Sequence, residues 1–290
     1  MARSSYYAGI RSIKIRDDND RCIWNEILAV WDKFGTMGYR PLAAKLQIGK
    51  SKIERILNRF RGPTAAVFRH PAPPRKVPNV IRFITEALCQ FPEKQARHNW
   101  VLRHGKNKYR HVIDPTRPYQ LWAGDWKELR LPLMKVTLYI FVIIDCYTRQ
   151  VMGWEFSIIK DSKAAIRASQ MALNTAKSDP IFKPRGLIMH TDQGSAYMAS
   201  ETIRFWRSFG VVVSSADKGK PTQNPYIEAF FSILSRCWLR LQEFNTSYDA
   251  QHSIEYFFHL YNSERPHSAL NFRTPQQALL DYKSYLFSQN

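Results

Sequence analysis

Apolar residues in the first part of this chain recur at helical spacing. Trp24, Ile27, Leu28 and Trp31 fall at i, i+3, i+4 and i+7, and Gly35 and Gly38 end the run. Residues 1–19 lack that period and read as a basic, poorly ordered arm. Pro41 suits the first turn of a short helix through Leu46. After a break at Ile48, Gly49 and Lys50, a third helix with Ser51 as its cap places Ile53, Ile56, Leu57 and Phe60 on one face. That is a helix-turn-helix layout, whose opposite face carries Lys52, Arg55 and Arg59. Residues 61–79 hold five prolines among basic residues and read as a linker, and a helix is predicted around Val80 to Phe91.

From Tyr119 the pattern becomes that of strands. Tyr119 to Trp126 is the first and Val136 to Ile144 a nearly unbroken apolar run; Gln150 to Ser157 pairs with it across the turn at Asp145 to Arg149. Asp161 caps a helix bearing Ala165, Ala168, Ala172 and Leu173. Leu187 to Met189 then forms a buried strand that ends at His190, Thr191, Asp192, Gln193 and Gly194. A helix over Ser200 to Phe209, a strand over Val211 to Ser214 and an aromatic helix from Ala229 to Leu241 follow. Antiparallel strands followed by strand-helix units predict an α/β fold, a ribonuclease H-like mixed sheet flanked by helices and preceded by an all-α helix-turn-helix region. The expected divisions are a basic arm and helix-turn-helix over 1–62, a basic linker with a helix over 63–118, the catalytic core over 119–242 and a helical extension over 243–290.

Charge sharpens this picture. The formal net charge is +19, and residues 1–118 hold 24 Lys and Arg against 9 Asp and Glu, whereas the remainder holds 19 against 15. The amino-terminal part is therefore the half suited to a polyanion, with nucleic acid favoured over a membrane surface. Arg103, Lys106, Lys108 and Arg110, interleaved with His98, His104 and His111, read as a phosphate-tracking tract, since no cysteine pair accompanies the histidines. Four scattered cysteines point to a reducing compartment without structural zinc. No apolar run is long enough for a membrane span and no signal peptide opens the chain, so the expectation is a cytoplasmic protein with no membrane partner.

Three acids stand at the ends of these elements: Asp125 in the first strand, Asp192 at the mouth of the later one, and Glu228 at the start of the aromatic helix, with 35 residues between Asp192 and Glu228. Phosphodiester hydrolysis and transfer build negative charge at phosphorus, and two divalent ions roughly 3.5 to 4 Å apart hold the attacking and leaving oxygens in line. Carboxylates are the hard ligands such ions prefer. Asp145 competes for the first position, but its place in a hairpin turn favours a turn-forming role.

These residues carry a family resemblance. Trp122-Ala-Gly-Asp125, His190-Thr-Asp192-Gln-Gly-Ser-Ala-Tyr197 and Gly219-Lys-Pro-Thr-Gln-Asn-Pro-Tyr-Ile-Glu228-Ala-Phe-Phe231 resemble the core of bacterial insertion-sequence transposases of the DDE type, akin to retroviral integrase. Tyr261-Asn262-Ser-Glu-Arg265-Pro266-His267-Ser-Ala-Leu270, with Thr274-Pro275, resembles the tail motif of the group encoded in two overlapping frames, in its second-frame product. The resemblance implies Mg2+, with Mn2+ as a substitute, held by Asp125, Asp192 and Glu228. It also implies cutting of donor DNA at element ends and attack of the exposed 3′-hydroxyl on a target phosphodiester. Double-stranded DNA is the implied partner, bound by a homo-oligomer, with an upstream first-frame protein possible as a second.

Gln193, Gly194, Gln223 and Asn224 match loop positions near the metals and DNA, and Lys218 and Lys220 lie in the same loop. Two departures stand out. Pro225 replaces a small residue, and Ser235, seven positions after the Glu and on the same helical face, stands where relatives carry a cation, with Arg236 next to it. Asn262, Arg265 and His267 read equally as DNA contacts or as a helix stop whose side chains satisfy backbone carbonyls. Tyr256, Phe257, Phe258 and Tyr261 read as core rather than a stacking platform. Two other functions fit the same residues: a non-catalytic DNA-binding regulator of transposition, and a structure-selective nuclease on the same fold.

Overall fold

In the computed structural model, helix α1 runs from Arg3 to Phe34. The structure describes residues 3–60, 83–84, 101–103, 110–112, 115–131, 135–192, 194–216 and 224–289. The helix thus begins well before Asp20, where a loose arm was expected. Its buried face is Ile23, Ile27, Trp31 and Phe34, while Leu28 is 43% exposed and Trp24 only partly covered. The period was right, but the stripe lies about one residue off the predicted one.

Helices α2 (Tyr39–Leu46) and α3 (Lys50–Phe60) complete a three-helix unit. Ile53, Ile56 and Leu57 are buried as the spacing predicts. Ser51 does not cap α3: the amides of Lys52 and Ile53 donate to the carbonyl of Gly49, so the helix starts at Lys50, two residues earlier than a Ser51 cap implies. Where a helix around Val80 was expected, the described residues form strand β1 (Phe83–Ile84), which pairs with β3 (Arg110–Val112), itself paired with β2 (Val101–Arg103). The proline-rich stretch over 61–79 lies outside the described residues.

The main sheet is built from β4 (Leu121–Leu131), β5 (Val136–Asp145), β6 (Val151–Ser157), β7 (Ile188–Thr191) and β8 (Val212–Ser215), in the order β6-β5-β4-β7-β8. β4, β5 and β6 pair antiparallel, and β7 and β8 join parallel. This is the mixed sheet expected. Helix α4 (Ser162–Lys177), capped by Asp161 through the amide of Ala164, packs on β6. Gly153 makes that approach possible, since a Cβ there would lie 2.4 Å from the Ala168 carbonyl oxygen. Helices α5 (Ser195–Met198) and α6 (Ser200–Ser208) contribute Ala196, Tyr197 and Trp206 to the same apolar layer.

The other face of the sheet is covered by α7 (Pro225–Cys237) and α8 (Ser247–Ser263), the latter opened by a capping box at Thr246 and Asp249. Phe230, Phe257, Phe258 and Tyr261 are buried there, in an apolar cluster that also takes in Ile23, Ile27 and Ile53 of the three-helix unit. Of the aromatic run, only Tyr256 is exposed. The joint is specific: Gly35 adopts φ +69°, and a Cβ on it would fall 1.9 Å from the Cys237 carbonyl oxygen, which accepts a hydrogen bond from the Thr36 amide. Helix α9 (Pro275–Ser288), with a second capping box at Thr274 and Gln277, closes the chain against Asp179 through Lys283 at 2.6 Å.

Candidate active site

The site is assembled where β4 and β7 run side by side. Ala123 pairs with His190, so Asp125 and Asp192, each two residues further on, emerge at the same end. Gly124 lacks a side chain for a steric reason: a Cβ would sit 2.5 Å from Met189 and 2.8 Å from Phe141. Asp125 Oδ1 accepts from the amide of Trp126 at 2.7 Å and from the Tyr197 hydroxyl at 3.3 Å. Asp192 Oδ1 accepts from the Gly194 amide at 2.9 Å, which bends the chain into α5. Burial, and then the charge of Asp192, push the Asp125 carboxyl up to about 6. Behind the pair, His190 is held by Ser214 at 2.9 Å.

Glu228 lies in the first turns of α7, after Pro225 at the helix start. That end is moored beside Asp125, because the Asn224 side-chain amide donates to the Gly124 carbonyl at 3.2 Å. Burial alone pushes the Glu228 carboxyl upward. Among the described residues, no three His, Cys, Asp or Glu side chains gather closely enough to hold a metal ion. The structure therefore brings Asp125 and Asp192 together and leaves Glu228 outside the pair, on the helix tethered next to it. Asn224, expected at the DNA or the metals, is a buried tether instead, with its Oδ1 lacking a partner. Gln193, Lys218, Lys220 and Gln223 lie outside the described residues.

Several residues expected at DNA make contacts within the chain. Arg55 and Arg59 turn back onto Asp20, and Arg59 also onto Asp17, tying α3 to α1. Lys52 stays half-exposed on the same helix. Arg265 is buried and donates to the carbonyls of Phe34 at 2.8 Å and Thr36 at 3.3 Å, so it clamps the three-helix unit to the core. His267 packs edge-on against Tyr261, and burial, with Arg265 and Arg149 nearby, lowers it to about 4, so the ring brings no positive charge to a phosphate near neutral pH. Asn262 exchanges two hydrogen bonds with the backbone of Val151, filling a strand's place at the sheet edge. Arg236 is exposed and donates to the Ser232 carbonyl, whereas Ser235 is half-buried with its hydroxyl enclosed and without a partner.

Asp145 is a turn residue. It is fully buried and accepts from the amides of Tyr119, Tyr147 and Thr148 and from the Thr148 hydroxyl. Sequence reasoning passed over Tyr197 as a partner of Asp125, although it stands in the same motif as Asp192.

Known proteins resemble this chain in sequence and in fold. Residues 115–221 and, separately, 210–275 match families described as integrase core domain. The transposase of insertion sequence element IS904 from Lactococcus lactis is 31% identical over 180 residues, covering 62% of this chain and 67% of that protein. Transposase InsF of insertion sequence IS3A from Escherichia coli is 35% identical over 117 residues, which is 40% of this chain and 38% of the relative. Among solved structures, a simian T-cell lymphotropic virus intasome in complex with a PP2A regulatory subunit aligns over 83% of this chain and 74% of that chain, with a TM-score of 0.50 and 14% identity, a likeness of fold. No described helix is long and apolar enough to cross a membrane.

Proposed function

Taking as premise that this chain belongs to the insertion-sequence transposases with an integrase core, we propose that it cuts donor DNA at element ends and joins the freed 3′-hydroxyl to a target phosphodiester. The observation that carries this is the juxtaposition of Asp125 and Asp192, whose charges act on each other at the shared end of two parallel strands. A buried carboxyl that keeps its proton to about 6 beside a second carboxylate is a donor set short of positive charge. All-oxygen carboxylate ligands fit Mg2+ or Mn2+.

Asp125 and Asp192 would hold such an ion, and Glu228 would complete the set from α7. When bound, a divalent ion stabilises charge on the phosphoryl oxygens and activates the attacking oxygen. The chain's own part is positional. Trp126 and Tyr197 fix Oδ1 of Asp125, the Gly194 amide fixes Asp192, and Asn224 moors the helix that carries Glu228. Half-exposed Lys52 and the net positive charge of residues 1–118 supply non-specific attraction to duplex DNA. The simian viral neighbour is described as an intasome, and assembly of several copies on DNA is the corresponding reading here.

The test is strand transfer with purified chain, labelled element-end duplex and Mg2+ or Mn2+. Joined product that vanishes in Asp125→Asn and Asp192→Asn supports the reading. Binding without cleavage identifies a regulator, and cleavage without joining identifies a nuclease.

A further inference from the structure

A cavity of about 510 Å3 opens on the sheet's far flank, where the β5–β6 turn meets the start of α7 and the segment leading into α9. Its walls include Tyr147, Arg149, Tyr226, Arg273 and Tyr282. Pockets of this volume admit a small organic ligand. With Tyr285, four tyrosines and two arginines line the cavity.

The two arginines differ. Arg273 is neutralised by Asp281 at 2.8 Å. Arg149 has no carboxylate partner among the described residues; its guanidinium carbon stacks 4.0 Å over the Tyr226 ring, and its Nε is buried without a hydrogen-bond partner. Arg149 also holds φ +66°, a left-handed conformation that a residue bearing a Cβ adopts at a cost, and Asn271 across the cavity holds φ +54°. Tyr147 and Tyr282 meet edge to face with centroids 5.5 Å apart, leaving ring faces for a third aromatic group. An unmet cation flanked by aromatic faces recognises a group that is anionic at one end and planar at the other.

We propose that this cavity binds one unpaired nucleotide, its phosphate on Arg149 and its base among Tyr147, Tyr226 and Tyr282. Resting on the reading of the chain as a DNA transposase, the source is a nucleotide of a DNA strand that has left the duplex. Stacking on aromatic side chains tolerates any base, so the site would read strand separation rather than sequence. Tyr226 stands two residues before Glu228 on the first turn of α7, which places an occupied cavity in contact with the turn that carries the third acid.

Fluorescence anisotropy of the full chain tests this with three probes: a blunt duplex, the same duplex with a short single-stranded extension, and that duplex with an abasic extension. AMP serves as a separate, diffusible ligand. The expected result is about tenfold tighter binding of the base-bearing extension than of the abasic one. That preference should disappear in Tyr282→Ala and Arg149→Gln and persist in Tyr282→Phe, with blunt-duplex binding unchanged throughout. Because Arg149 sits in a strained turn, thermal melting accompanies each variant, and the Tyr282 pair decides the question if Arg149→Gln is unfolded. AMP binding that depends on Tyr282, without an extension preference, keeps the nucleotide site and assigns it a free ligand. Equal affinity for both extensions and no AMP binding overturns the site while blunt-duplex binding leaves the transposase reading standing. A chain that binds AMP but no DNA does the reverse, and one that binds neither overturns both.

Discussion

Arg55 Nη2 lies 2.7 Å from Oδ1 of Asp20 while Nη1 reaches Oδ2, a two-pronged pair in which the carboxylate is 1% exposed. The guanidinium holds the Asp20 carboxyl below the usual carboxylate range. An arginine so engaged stabilises the three-helix unit rather than reaching for DNA. Asp20→Ala should therefore destabilise the chain by about 1 kcal/mol, since it removes the hydrogen bonds of two guanidinium groups that water still reaches. Urea melts of Asp20→Ala, Arg55→Ala and the double variant check this. Strictly additive losses would show that the pair contributes nothing as a pair.

Much of this fold was legible in the sequence, and the exceptions share a cause. Unbroken apolar runs such as Val136 to Ile144 identify strands buried on both faces, and Asp161 ahead of an alanine-rich face identifies a capped helix. Periodicity says which side of a helix is apolar; it does not say what stands opposite the polar side. Hence Arg55, Arg59 and Arg265 looked available, although Asp20, Asp17 and the carbonyls of Phe34 and Thr36 take them up. At the candidate site the acids were legible as motif positions. The tether from Asn224 to Gly124 was not, because it joins residues a hundred positions apart.

Asp145→Asn should weaken the fold without entering the chemistry. Four donors converge on this buried carboxylate, and an amide offers only one accepting oxygen, so a loss of about 1–3 kcal/mol is expected. Strand transfer measured well below the variant's melting point should stay near the wild-type rate. A folded but inactive Asp145→Asn would move Asp145 into the reacting site.

His267 makes stability depend on pH. Its folded value is lowered to about 4 by burial, against an ordinary 6.5, so the folded state favours the neutral ring. The stabilisation is complete above the unfolded value and is lost as pH falls from 6.5 toward about 4, by up to ~3 kcal/mol. Urea unfolding across that window should show a slope that His267→Phe reduces. An identical slope in the variant would assign the pH dependence elsewhere.

Asp125 predicts the pH dependence of metal binding. Its carboxyl is raised from 3.8 to about 6, so in the metal-free chain ionisation opposes folding as pH rises through that interval. A divalent ion reverses this by binding the ionised form. The rise in melting temperature with MgCl2 should be larger near pH ~7.5 than near pH ~5 and should be absent in Asp125→Asn. Equal shifts at both pH values would place the ion away from Asp125.

Ser235→Lys, which the position's resemblance to a DNA-facing cation recommends, should cost stability instead of adding DNA affinity, because the serine hydroxyl is enclosed. Ser235→Ala, by contrast, removes a buried hydroxyl without a partner and should leave stability equal or slightly higher. Melting curves and duplex titrations of both variants check the pair of outcomes. Tighter duplex binding by a fully stable Ser235→Lys would put this face of α7 on DNA.

Gly35 fits against the last carbonyl of α7 with no room for even a methyl group, while the opposite end of the same helix is moored beside Asp125. A helix of 13 residues is a stiff strut about 20 Å long. The three-helix unit and the turn that carries Glu228 are thus held at opposite ends of one helix. An alanine at Gly35 would force the joint at the far end apart while leaving the acids' own hydrogen bonds in place.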